Sequence, residues 1–350
     1  MFSLDHYRAV REAAGFIDRS SRARLRLTGG DRRDYLQGLL TNDIVALAPG
    51  QGCYAALLTA QGRMIADMFV VETGEAIVMD LEPAVGDKVA AHLDRFIFSE
   101  DAQVTNETAS TAQVGVFGPA SAAVVASLVG GDVRREELES LPVLGNRRAP
   151  WRSGSVLVVR RDDLGVSGFD LIVDRSAAPA LIDALVAAGV SRFEDETAEV
   201  LRVEHERPRF LHDMTEDTIP LEAGIDERAL SMTKGCYVGQ EVIVRVLHRG
   251  HGRVARRLVG LTIDRTAAVP AAGDRIRLAS DPREIGVITS AVWSPAMNGP
   301  VALGYVHRDF AQDGTAVTVE SGAARATATV RRLSASYPRS DAPEATSADR

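Results

Sequence analysis

The chain has 350 residues, with 40 Lys and Arg against 48 Asp and Glu, and so a formal net charge of −8. At roughly 100–200 residues per domain this length implies two or three domains, and a hydrophobic content of 45% supplies real cores, which excludes whole-chain disorder. The acidic balance disfavours direct nucleic-acid binding, Cys53 and Cys236 alone cannot build a disulfide framework, and the absence of an apolar leader or a long apolar run points to a reducing cytoplasm without membrane insertion.

In chain order, RARLRL at 22–27 alternates with period two, which predicts a strand with Ala23, Leu25 and Leu27 on one face and a wet or ligand-facing row of Arg22, Arg24 and Arg26 on the other. A short amphipathic helix follows, N-capped by Asp31 and carrying Tyr35, Leu36, Leu39 and Leu40. The runs MIADMFVV and EAIVMD flank a turn at Thr73-Gly74, and Val85, Val89 and Leu93 then mark a helical stripe. VGVF, a helix opened by Pro119, VLVVR, FDLIVD and an Ala-rich helix around ALIDALVAA continue the mixture. Strands with helices to one side predict an α+β fold, and no G-x-G-x-x-G follows any of them. After Gly252 six short β runs separated by Gly, Pro and Asp predict a separate small barrel or sandwich. The last stretch, SYPRSDAPEATSADR, has almost no large apolar residue and reads as a disordered tail.

The densest chemical signal is Lys234-Gly235-Cys236-Tyr237-Val238-Gly239-Gln240-Glu241, followed by VIVRVL. Two glycines four apart permit a tight loop displaying Cys236 just before a strand, and the Lys234 ammonium would favour its thiolate. Cys236 is then either a reactive thiol or a small buried hydrophobe, whereas Cys53, with no charged neighbour, reads as the latter. His248 and His251 add no metal-ligand spacing, so no complete metal site is expected. On a helix, Glu204 shares a face with Val200 and Leu201; such an acid either grips paired donors on a heterocycle's edge or pairs with Arg202, Arg207 or Arg209. Asp67, the one charge in its apolar strand, is either hydrogen-bonded structurally or aimed into a pocket. The basic run 248–257, with Arg249, Arg253, Arg256 and Arg257, is a solvated face or a grip for a glutamate tail or RNA phosphates.

KGCYVGQE resembles the signature of the YgfZ family, folate-binding proteins similar to the glycine cleavage T-protein, an aminomethyltransferase. RVEHERPRF, IPLEAGIDERALSMTKGCYVGQE, GGDRRDYLQGLLTNDI and QGRMIADMFV follow the T-protein pattern in order. The resemblance implies a multidomain α+β fold around a central tetrahydrofolate cavity closed by a C-terminal β-barrel. The division expected is residues 1–50 with 195–250 as a discontinuous first cavity domain, 51–194 as a ferredoxin-like middle domain, 251–335 as the barrel and 336–350 as the tail. It assigns pterin binding to Glu204, with Asp67 as a further pocket residue, and a functional thiol to Cys236. The implied role is assembly or repair of iron–sulfur clusters with assembly or client proteins as partners, and so indirectly tRNA modification. A tetrahydrofolate-dependent aminomethyltransferase or demethylating enzyme is the alternative. The T-protein strand carries two adjacent acids where this chain has Ala66 and Asp67, which argues against true aminomethyl transfer.

Overall fold

The alternating segment at the start of the chain forms β2 (Ala23–Thr28), whose leucines are buried as expected, but its arginine row is not uniformly wet. Arg24 is fully buried, its guanidinium donating to the carbonyls of Ser20, Arg22, Thr108 and Thr111, because the sheet's second face is covered by the neighbouring domain. The computed structural model describes residues 2–130, 133–248 and 252–333; the expected tail at 336–350 lies outside them.

Two sheets and a barrel make up the molecule. β3 (Gly52–Leu58), β4 (Met64–Glu72), β5 (Ile77–Leu81), β2 and β6 (Gln103–Asn106) form, in that order, a five-stranded sheet. It is backed by α2 (Arg32–Gln37) and α3 (Gly86–Asp94), whose Leu36, Val89 and Leu93 enter one core with Phe210, Met214 and Ile243 from much later in the chain. Asp31 precedes α2, but its carboxylate accepts from the amide of Asp101 rather than capping the helix. The helix ends early, and Leu40 bridges to Leu57 instead.

The second sheet runs β11 (Ser191–Arg192), β1 (Gly15–Asp18), β7 (Thr111–Phe117), β10 (Gly168–Asp174), β9 (Gly154–Arg161), β8 (Asn146–Trp151). The Ala- and Val-rich helices α4 (Ser121–Leu128) and α6 (Ala178–Ala187), with α5 (Arg135–Ser140), cover it. α1 (Leu4–Glu12) and α7 (Asp195–Glu204) share a further core with barrel residues. The sheets therefore group the chain differently from the expected division: β1 joins the middle sheet, while β3 to β6 belong with the later residues 210–254.

All six late β runs close into a barrel, ordered β12 (Arg256–Ile263), β15 (Gly299–His307), β14 (Asp281–Ser294), β13 (Arg275–Leu278), β16 (Ala316–Ser321), β17 (Ala324–Arg331). Closure removes the exposed edges that short antiparallel strands would otherwise leave. The α+β fold with a C-terminal barrel is as expected.

Candidate functional site

The sheets converge on a cavity of about 150 Å³, lined by the end of β1, the middle of β4, the face of α7 and the turn 207–210. Period-two alternation on β4 puts Asp67 and Phe69 on this wall together. The Tyr54 hydroxyl, from the neighbouring strand, donates to Asp67 Oδ2 at 2.6 Å. Burial pushes the Asp67 carboxyl up to about 6, more than the Tyr54 bond pulls it down. This acid can therefore exchange between acceptor and donor near neutral pH.

Part of the wall itself is an ionic cluster that the sequence reading missed, because its members are spread over 190 residues: Arg19, Arg22, Glu82, Asp163 and Arg209 line the cavity, with Asp80, Arg161 and Asp170 behind them. Arg22 reaches Asp80 at 2.5 Å and Glu82 at 2.8 Å, Arg161 reaches Asp80 at 2.7 Å, Arg19 reaches Asp163 at 2.6 Å and Asp170 at 3.3 Å, and Arg209 reaches Glu82 at 2.9 Å. Four guanidinium groups thus face four carboxylates, so the cluster is neutral as a unit. Burial disfavours the Asp80 carboxylate, but Arg22, Arg161 and Arg19 outweigh it and hold the group low. The Arg161 guanidinium stacks on the Phe69 ring at 3.8 Å, and its buried Nη2 has no hydrogen-bond partner among the described residues.

Glu204 is not among the cavity-lining residues. Its carboxylate accepts from the Tyr7 hydroxyl at 2.8 Å and the Ser294 hydroxyl at 2.5 Å, pinning α1 to the barrel, while Arg202 is engaged by Glu199 and Asp213 and Arg209 by Glu82. The α7 acids that do line the cavity are Asp195, at the start of the helix, and Glu199, with both oxygens on Arg202. The phase of the helix decides this: five residues turn the side chain by roughly 140°.

Cys236 is exposed, on a loop anchored at both ends. On one side Lys234 donates to the carbonyls of Gln37, Leu40 and Asn42 at 2.6, 2.6 and 2.9 Å, and lies over the buried Tyr237 ring. Burial lowers Lys234 to about 8. Its ammonium is thereby tied to backbone, and the thiol on which its charge acts is Cys53, which burial nevertheless pushes up to about 12. On the other side Gly239 has φ +85, and a Cβ there would meet the Thr59 carbonyl at 2.5 Å, so glycine is required. Gly235 has open space around it. VIVRVL is not the expected strand. After the short α8 (Pro220–Ala223) and α9 (Asp226–Ala229), Gln240–His248 form α10, whose Ile243, Val246 and Leu247 fall on one helical face, so the 3.6-residue period and core contacts override the β-branched composition. Gln240 Oε1 accepts from the Tyr237 amide, and Glu241 pairs with Arg245 in solvent.

In the basic run, Arg256 pairs with Glu222 and Arg257 donates to the Gly252 carbonyl, while Arg249 and His251 lie outside the described residues. Among the described residues, no group of three or more His, Cys, Asp or Glu side chains could hold a metal, and no helix is long and apolar enough to cross a membrane.

The model of the GCVT N-terminal domain matches residues 2–234, and that of the glycine cleavage T-protein C-terminal barrel domain matches residues 256–335. An aminomethyltransferase of Synechococcus sp. (strain CC9902) is 28% identical over 338 residues, spanning 94% of this chain and 90% of that protein. One from Nostoc sp. (strain PCC 7120 / SAG 25.82 / UTEX 2576) is 29% identical, spanning 90% and 82%. The crystal structure of glycine cleavage system aminomethyltransferase T from Bartonella henselae superposes with a TM-score of 0.84 at 23% identity, over 94% of this chain and 88% of that one, a likeness of fold.

Proposed function

The chain belongs to the GCVT family, and from that premise we propose that it is a tetrahydrofolate-binding protein that serves iron–sulfur cluster assembly or repair through an exposed thiol at Cys236. The observation carrying the folate reading is Asp67, a half-buried carboxyl raised to about 6 in a cavity wall shared with Phe69, Leu164 and Phe210. A pterin offers flat faces to apolar side chains and alternating donors and acceptors at its edge, and this mixture fits it. An engineered apolar cavity of about 150 Å³ holds a single benzene ring, so the cavity would take part of the bicyclic pterin, with the rest of the ligand and its glutamyl tail in the mouth beside Arg209.

Tetrahydrofolate, when bound, supplies a one-carbon carrier. The chain's own contributions are to hold the ring at Asp67, to screen it from water with β4 and α7, and to present Cys236 on a loop whose base is fixed by Lys234 and Gly239. Partners of this thiol would be cluster-assembly or client proteins, with tRNA modification affected through the clients. Calorimetric titration with tetrahydrofolate tests the first half; the second is tested by Cys236→Ser in cells lacking their own copy, where cluster-enzyme activity should fall while folate affinity is unchanged.

A second reading, a tetrahydrofolate-dependent aminomethyltransferase or demethylating enzyme, is favoured by the names of the curated relatives and by the poise of Asp67 as a general acid or base. Ala66, where the T-protein pattern has a second acid, counts against it. Methylene-tetrahydrofolate formation from a methylamine donor above background would establish it.

A further inference from the structure

None of the cavity-lining residues comes from the barrel, yet the barrel is tied to the cavity wall by a continuous run of hydrogen bonds, buried at its centre and part-buried at its ends. On β14 the register against β15 slips between Ile288 and Ser290, leaving Thr289 as an extra residue, a β-bulge. Bulges re-aim side chains, and here two adjacent hydroxyls point the same way. Thr289 Oγ1 donates to Asp213 Oδ1 at 2.5 Å and Ser290 Oγ donates to the same oxygen at 2.7 Å. The other oxygen of Asp213, whose side chain is wholly buried, accepts from Arg202 Nη1 at 2.7 Å and from the Arg209 amide at 3.0 Å. Arg202 Nη2 donates back to Ser290 Oγ at 2.7 Å. Every donor nitrogen of Arg202 is thus engaged, and what it holds toward the cavity is Glu199, through a two-pronged pair.

We infer that the barrel sets the ligand-facing carboxylate of Glu199 through Thr289, Ser290, Asp213 and Arg202, which makes Asp213 and the two hydroxyls positioning residues for the cavity. The inference rests on the reading of the cavity as the folate site. Each Glu199 oxygen accepts one bond from Arg202 and keeps an outward lone pair, and the one on the cavity side can accept a single N–H donor of a heterocycle. A carboxylate is useful in that role only when its plane is fixed, and a lone surface glutamate is not. The bulge and the fully buried Asp213 supply that fixing from a different domain.

The test uses the full chain carrying T289V and S290A together, titrated with tetrahydrofolate under reducing, anaerobic conditions. The affinity should weaken by about tenfold with a single cooperative melt retained, while T289S, which keeps the hydroxyl, should bind like the unmutated protein. In an R202K background the same double change should cause no further loss, because the effect passes through Arg202; a barrel that merely lends stability would give losses that multiply. S290A alone provides a milder variant should the pair fold poorly. Independently of ligand, amide exchange across Asp195–Glu204 should quicken in the double variant while that of β3 to β5 does not. If the unmutated protein binds no tetrahydrofolate, the folate reading falls and exchange alone judges the relay. Equal binding by the double variant, multiplying losses, or unchanged exchange in α7 overturns it.

Discussion

Glu199 and Glu204 leave the same helix five residues apart and end in different places: Glu199 in the cavity wall on Arg202, Glu204 on the hydroxyls of Tyr7 and Ser294. On the proposed folate reading, the two acids separate ligand binding from the joining of helix to barrel. Glu199→Gln should weaken tetrahydrofolate affinity by about tenfold, since one charge-assisted acceptor becomes a donor that faces N–H groups. Glu204→Ala strands the Tyr7 and Ser294 hydroxyls and should cost about 1–3 kcal/mol of stability while leaving affinity within about twofold. Calorimetry and denaturant melts on both variants check this, and the reverse pattern would return the acid at 204 to the ligand.

How much of this was legible in the sequence differs by element. The six barrel strands could be read because each is short, alternating and bounded by turn residues. α10 could not, since VIVRVL carries a strand's composition and only its contacts with the core of the five-stranded sheet select the helical period. Asp67 stood out as a lone charge in an apolar strand, a local signal. The Arg19, Arg22, Arg161, Asp80, Asp163 and Asp170 cluster did not, because each residue is unremarkable where it stands and the sheet topology alone brings them together. Glu199 was hidden for a smaller reason: a helix phase read from apolar neighbours favoured Glu204, and the partner that turns Glu199 inward is Arg202, itself held from the barrel.

Asp67 should make the protein less stable as pH rises. Its folded carboxyl titrates near 6 against an ordinary value of 3.8, so between those values the folded state holds more proton than the unfolded one. The stabilising preference for the protonated form is present in full below about pH 4 and is lost as pH climbs through 6. Two units correspond to roughly 3 kcal/mol at most. Asp67→Asn, which keeps an acceptor for Tyr54, should raise stability at pH 8 by about 1–3 kcal/mol and bring no gain at pH 4, as read from denaturant melts at the two pH values. An equal effect at both would mean the acid is not desolvated.

The two thiols should react very differently. Cys236 is exposed, whereas Cys53 sits in β3 with its thiol pushed up to about 12 by burial. Alkylation attacks the thiolate, so iodoacetamide at pH 7.5 should label Cys236 in the native chain and reach Cys53 only after unfolding. Peptide mapping by mass spectrometry resolves the two sites. Native labelling of Cys53 at a comparable rate would show that β3 opens far more readily than its core contacts imply.

Lys234 raises a question of sign, since its burial is unfavourable but its hydrogen bonds are not. Lowering its amine from 10.5 to about 8 represents roughly 3 kcal/mol of desolvation cost, which Lys234→Met would recover. The same change strips the carbonyls of Gln37, Leu40 and Asn42 of their shared donor, at about 1–3 kcal/mol each when buried. At the middle of that range the second effect is the larger, so the variant should lose about 3 kcal/mol at pH 7, and about 6 kcal/mol at most. Linkage then fixes the pH dependence: between 8 and 10.5 the unfolded chain binds more proton at this site, the unmutated protein gains stability as pH rises, and the gap to Lys234→Met should widen over that window. A gap that closed instead would mean that the ammonium, rather than the neutral amine, is the form the carbonyl cradle prefers.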